Sequence, residues 1–206
     1  MAGSADQRSF EVRPVDAMCF DDLAVILNPG GTERACWCLA HRVTPAEYSA
    51  LRGEQRAERT RSLCAERPAP GVLAYAGDTP AGWCGVSPRS RFERLKRSRT
   101  IPALDDQPVW SIVCFVVASP FRGLGVAKAL LDGAVGYARS HDAPAVEGYP
   151  VDTEGARIGP SAAHAGTTAL FEEAGFHRME RTQARVDGRI RWLMRLDLSR
   201  SELRDR

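Results

Sequence analysis

No stretch of the 206-residue chain is apolar for long enough to cross a bilayer. The opening residues, Met1-Ala2-Gly3-Ser4-Ala5-Asp6-Gln7-Arg8, also lack the apolar core of a secretion signal. A soluble, cytoplasmic protein with no membrane partner is expected. A surplus of one charge is missing too, because 28 basic residues face 26 acidic ones for a formal net charge of +2. Nucleic acid, bound through many phosphate contacts, is therefore not an expected partner. Cysteine is present at 19, 36, 38, 64, 84 and 114, but nothing at zinc spacing accompanies Cys36-x-Cys38. On a strand that pair would place both sulfurs on one face. Without further ligands the reading is buried thiols and no metal, as suits a reducing compartment. The Gly-x-x-x-x-Gly-Lys-Ser/Thr run of a P-loop is absent as well.

What the chain does have is one strong unit in its middle. Val109-Trp110-Ser111-Ile112-Val113-Cys114-Phe115-Val116-Val117 is an almost unbroken β-branched and aromatic run, the pattern of a strand buried on both faces. Ala118-Ser119-Pro120 ends it. Phe121-Arg122-Gly123-Leu124-Gly125-Val126-Ala127-Lys128 then supplies a glycine turn. Ala127, Leu130, Leu131, Ala134, Val135 and Ala138 follow at helical spacing. Two glycines let backbone N–H groups approach a ligand with no Cβ in the way, and a helix N-terminus behind them favours an anion. A diphosphate suits such a turn. A dinucleotide fingerprint would need a third small residue where this chain has Lys128.

The pattern that fits is Arg/Gln-x-x-Gly-x-Gly/Ala, present as Arg122-Gly123-Leu124-Gly125-Val126-Ala127. It resembles the acetyl-coenzyme A pyrophosphate loop of the GCN5-related N-acetyltransferase (GNAT) family. Downstream, Leu170-Phe171-Glu172-Glu173-Ala174-Gly175-Phe176 is similar to the Leu-Tyr-Glu-Lys-Leu-Gly-Phe segment that closes the last helix of that family. The resemblance runs from about Trp110 to Leu196. It implies one domain over residues 1–206, of α/β (α+β) class. The sheet would be mixed and mostly antiparallel, with about six to seven strands splayed between strands 4 and 5, flanked by about four helices.

Its further implications are chemical. Acetyl-CoA would be the co-substrate, and a small-molecule or peptide amine the acceptor of an acetyl group by direct attack. Dimers are common in the family, which allows a homodimer. The loop 122–127 would hold the diphosphate, while Phe115 and Val117 would pair with the amides of the pantetheine arm. A backbone N–H at Val116 or Val117 would polarise the thioester carbonyl. Glu147, on the strand facing the cleft, is the leading candidate for the general base, with a structural pairing to an arginine as the competing role. Phe171 stands where the family usually has a tyrosine that protonates the departing sulfur, and His164 where it has asparagine. Tyr149 and His164 are the candidates to replace that acid. Unassisted departure is the alternative, since a thiol's ordinary pKa is only about 8.5.

The rest of the chain reads as support. Ser9 to Val15 alternates as a half-exposed first strand. Asp16 is placed to cap a helix with Met18, Phe20, Leu23, Ile26 and Leu27 on its inner face. Ala35 to Val43 reads as a strand. Thr44-Pro45-Ala46-Glu47 is a capping box that starts a helix running to about Glu66. Gly71 to Val86 and Arg178 to Leu198 read as hairpins, and Ala145 to Val151 as a strand. The segment 87–100 is a basic insertion with Arg89, Arg91, Arg94, Lys96, Arg97 and Arg99 against one acid, Glu93. It is expected to be solvated and mobile, with a cationic rim for CoA or an acidic acceptor as the functional reading. The loop 152–166 is long enough to close over the acceptor. Beside the enzyme stand two other classes, a catalytically weak acyl-CoA-binding module and a nucleic-acid binder that the charge balance disfavours.

Overall fold

Residues 9–198 are described in the computed structural model of the chain. Seven strands, β1 (Glu11–Pro14), β2 (Gly71–Ala76), β3 (Thr79–Pro88), β4 (Trp110–Val117), β5 (Ala145–Gly148), β6 (His177–Val186) and β7 (Arg189–Asp197), form one sheet. Their order is β1-β2-β3-β4-β5-β7-β6. Neighbours are antiparallel throughout except for β4 and β5, which run parallel. This is the mixed, mostly antiparallel sheet expected. The helices are shorter and more numerous than expected: α1 (Phe20–Leu27), α2 (Pro45–Ala50), α3 (Gly53–Cys64), α4 (Glu93–Lys96), α5 (Val126–Arg139), α6 (Pro160–Ala163) and α7 (Thr168–Glu173). Among the described residues no helix is long and apolar enough to cross a membrane.

The core forms where α5 lies across β1, β2 and β3. Val126, Leu130, Leu131, Ala134 and Ala138 recur at helical spacing and are at most 1% exposed. Each such leucine or valine contributes about 1.5–3 kcal/mol by leaving water. On β4 the pairing with β3 slips between Gly85 and Val86, so Gly85 faces Cys114, Val86 faces Ile112, and Val113 is left over as a bulge. A bulge bends the strand that carries it. Accordingly β4 pairs with β5 only at Trp110, Ser111 and Ile112, and the two strands then part. That parting creates the open edge on which the site is built.

Three expectations are corrected. Residues 35–43 are not a strand: Trp37 and Cys38 take left-handed backbone angles, φ +52° and +57°. The segment folds into turns, with Leu39 N–H on the Cys36 carbonyl at 3.0 Å and Arg42 N–H on that of Leu39 at 2.8 Å. Its outer carbonyls are taken by side chains of α3, Arg56 on Ala35 at 3.1 Å and Thr60 on Trp37 at 3.1 Å. A short apolar run does not say which partner will satisfy its backbone. The long helix after Thr44 is broken in two, with Leu51 extended and Gly53 at φ +42°. Asp16 caps a turn through the N–H groups of Met18 and Cys19, so α1 starts late and Met18 is 91% exposed. The charged tail Ser199 to Arg206 lies outside the described residues.

Candidate active site

The turn after β4 has the geometry that its two glycines suggest. Gly123 and Gly125 sit at φ +76° and +89°, where a side chain is strained, and Gly125 is the residue that caps α5. A Cβ at either position would meet nothing within 4 Å, so the space above the turn is open. The first bond of the helix runs from Ala129 N–H to the Gly125 carbonyl. The N–H groups of Gly123, Gly125, Val126, Ala127 and Lys128 donate to no described acceptor, and α5 carries no acidic residue in its first turn. Arg122 and Leu124 are exposed beside them, and Arg122 Nε lies 3.4 Å from the Val117 carbonyl. Free N–H groups so arranged make a cradle that suits an anion with several phosphate oxygens.

The open edge of β4 adjoins the cradle. Phe115 N–H points across the opening and donates to the His164 carbonyl at 2.7 Å, whereas Ala118 N–H donates to Ala81 on β3 at 3.0 Å. Successive N–H groups of a strand point to opposite edges. Val117 therefore faces the opening like Phe115, and Val116 faces β3. Phe171 fills the floor where β4 and β5 part. Its buried ring meets Phe115 edge-on at 6.1 Å and Phe176 at 4.9 Å. On β5, a Cβ at Gly148 would lie 2.0 Å from Phe171 Cε1, so the ring seats only because residue 148 is glycine.

Glu147 and Tyr149 are together, but inside the protein. Glu147 is wholly buried and accepts from Arg195 Nη2 at 2.7 Å and from the Tyr149 hydroxyl at 3.1 Å. Tyr149, 1% exposed, also bonds Arg89 and, at 2.8 Å, Ser111 Oγ. Arg195 continues to Asp105, closing a chain of ion pairs across three elements. Burial, followed by the Glu147 charge, pushes the Tyr149 phenol well above its usual range. It keeps its proton at neutral pH.

The basic insertion is packed rather than loose. Phe92 and Leu95, 0% and 2% exposed, join Ile101, Val113, Tyr149 and Leu193 in a second core cluster. Arg91 binds Glu66 and the carbonyls of Arg67 and Pro68. Cys36 is exposed and Cys38 buried, so the two do not share a face. Cys38 instead meets Cys114 of β4, whose hydrogen bond, ahead of the Arg42 charge, lowers the Cys38 thiol while Cys114 is raised.

A sequence model of the Acetyltransferase (GNAT) family matches residues 37–153, more than half of the chain. The chain belongs to the GNAT family. No curated protein matches it. Among solved structures, the NatC complex bound to Gag peptide and CoA is similar at 16% identity and TM-score 0.55, over 93% of this chain and 99% of that one. A GNAT acetyltransferase from Streptococcus pneumoniae is similar at 16% identity and TM-score 0.54, over 93% and 100%. A structure described as histone acetyltransferase HPA2 and related acetyltransferase, from Corynebacterium glutamicum, gives 21% and 0.52, over 91% and 95%. At such identities these likenesses show the GNAT fold.

Within that GNAT frame, the loop 122–127, Phe115, Val117 and His164 converge on one opening. Glu147 and Tyr149 lie behind it. Four residues that sequence reasoning passed over matter here: Arg195 and Asp105 as partners of Glu147, Gly148 under Phe171, and His41 beside His164. Only Gly148 had a local signal, a glycine inside a strand pattern, which marks close approach of another group.

Proposed function

We propose that the protein transfers an acetyl group from acetyl-CoA to a primary amine on a small-molecule or peptide acceptor. One observation carries this reading: unpaired N–H groups at the start of α5 lie beside a stretch of β4 edge that pairs with no strand among the described residues. The cradle fits a diphosphate, through Arg122, the exposed Leu124 and the N–H groups of Gly123, Gly125, Val126 and Ala127. The β4 edge fits an amide-bearing arm, with Val117 N–H and, once it parts from His164, Phe115 N–H as donors. Bound acetyl-CoA supplies a thioester carbonyl to be attacked and a thiolate to be released.

Glu147 and Tyr149 serve as positioning residues that fix β4 against β5, and Phe171 has no proton to give. A thiolate beside a helix N-terminus needs little acid. His164, at the opening, is the group left to move a proton. That a structural neighbour is described as holding a peptide with CoA supports a peptide amine as one acceptor type.

Thermal shift and turnover test this together. Acetyl-CoA at 100 times its dissociation constant adds about 2.7 kcal/mol, a rise of roughly 5–10 °C for a domain of this size. Thiol release on adding amines then follows. Binding without release for any amine would make the protein an acyl-CoA-binding module instead. No shift at all would remove the reading.

A further inference from the structure

Arg191 on β7 is buried to all but 9%, yet it has no carboxylate partner among the described residues. Its Nε donates to the Tyr149 carbonyl at 2.7 Å, and its two terminal nitrogens donate to nothing described. His41 stands beside it with Nδ1 fully buried and lacking a hydrogen-bond partner. The His41 carbonyl takes the Arg94 N–H at 3.1 Å, which docks α4 here and brings an exposed arginine that makes no ion pair among the described residues. Arg42, underneath, is buried against Phe92, Pro70 and Ser87. The neighbouring acids are committed elsewhere: Glu147 to Arg195, Glu66 to Arg91 and Asp152 to Arg178.

Buried cations without a partner are unfavourable, and they persist where a ligand brings the opposite charge. This group lies at the opening, because Arg191 bridges Val151, whose N–H bonds the Gly166 carbonyl two residues from the His164 carbonyl that holds Phe115 N–H. We propose that the acceptor is a primary amine that also carries a carboxylate, bound by Arg191, Arg94 and His41 Nδ1 beside the β4–β5 opening. This rests on the acyl-transfer reading of the same site and narrows its substrate class. A guanidinium offers two parallel N–H groups to a carboxylate. The same acid-free cluster disfavours an ammonium ion, so the acceptor amine is held in the neutral form that attacks. Burial in that environment, followed by Arg191, Arg94, His164 and Arg42, brings His41 down to about 3, which keeps its ring neutral.

The test uses the full chain with saturating acetyl-CoA. Thiol release is measured for the common amino acids, each against its own amide, and for ethanolamine against O-phosphoethanolamine. At least one acid should exceed its amide tenfold in kcat/KM, about 1.4 kcal/mol. Arg94→Ser and Arg191→Leu should each bring that ratio close to one with the Kd for acetyl-CoA unchanged. Parity between acids and amides, preference for the phosphate over every acid, or a ratio kept in Arg94→Ser overturns the proposal. Arg94 is exposed and its side chain makes no described bond, so that variant is informative even if Arg191→Leu does not fold. Calorimetric titration with N-acetyl amino acids and their amides is independent of turnover. Tighter binding of the acids, lost in Arg94→Ser, sustains the anion site even if no amine is acetylated, and equal binding sinks it.

Discussion

Phe115 N–H and the His164 carbonyl are joined by a 2.7 Å hydrogen bond across the gap between β4 and β5. The chain's own segment thus occupies one of the two donors that an amide-bearing arm needs. On the proposed reading, loading with acetyl-CoA breaks this bond, while the N–H groups at the start of α5 gain acceptors. Hydrogen exchange should therefore slow at residues 123–128 and quicken at 164–167 when acetyl-CoA is added. Unchanged protection in both segments would place the arm elsewhere.

Gly125 sits at φ +89° with open space where a Cβ would go. Gly125→Ala thus adds strain without a clash inside the protein, costing about 1–2 kcal/mol for a left-handed alanine. That corresponds to a fall in melting temperature of roughly 2–8 °C for this size of domain. The new methyl also projects into the open space where the diphosphate is proposed to sit, so the Kd for acetyl-CoA should rise by about tenfold or more, an amount worth ~1.4 kcal/mol. Calorimetry on the folded variant separates the two effects.

Glu147 distinguishes a positioning residue from a base. Its buried carboxylate compensates Arg195, which is 6% exposed, so Glu147→Ala leaves that charge with Asp105 alone. Removing one partner of such a pair costs about 3–5 kcal/mol. Urea unfolding should show that loss, and turnover of the folded fraction should stay within a few-fold with an unaltered pH profile. Normal stability with abolished turnover would make Glu147 the base after all. Tyr149→Phe should behave alike, losing about 1–3 kcal/mol from the hydrogen bonds that it leaves unmet.

The cradle was legible because its chemistry is local: strand, glycine turn and helix follow one another within residues 109–138. The hairpins were legible for the same reason, from alternation and from Asp187-Gly188, both at positive φ in the turn. What surrounds Glu147 was not. Arg195 is 48 residues away in sequence and Asp105 is 90 from Arg195, so no periodicity links them. Residues 35–43 misled because small and apolar side chains suit a strand, while the decisive partners, Arg56 and Thr60, lie on α3.

The basic insertion makes the same point in energetic form. Its charges suggest a solvated loop, but Phe92 and Leu95 are buried and decide its placement. Phe92→Ala should cost about 3–5 kcal/mol, as a fully buried phenyl does. A change below about 0.5 kcal/mol, the scale of a surface substitution, would restore the mobile reading.

His41 gives stability a pH dependence whose sign is fixed. Its pKa is about 3 in the fold against an ordinary 6.5. Above pH 6.5 the ring is neutral in both states and the shift has no effect. As pH falls through 6.5 toward 3, the unfolded chain takes up a proton that the fold refuses, and stability is lost at up to about 1.4 kcal/mol per pH unit. Urea unfolding of wild type and His41→Asn at pH 7, 6, 5 and 4 isolates this contribution from the carboxylates that titrate in both proteins. The difference between the two should change steadily below pH 6.5 and be flat above it. A constant difference over the whole range would mean that the His41 ring is not held buried and neutral beside Arg191, the arrangement from which an acidic acceptor is argued.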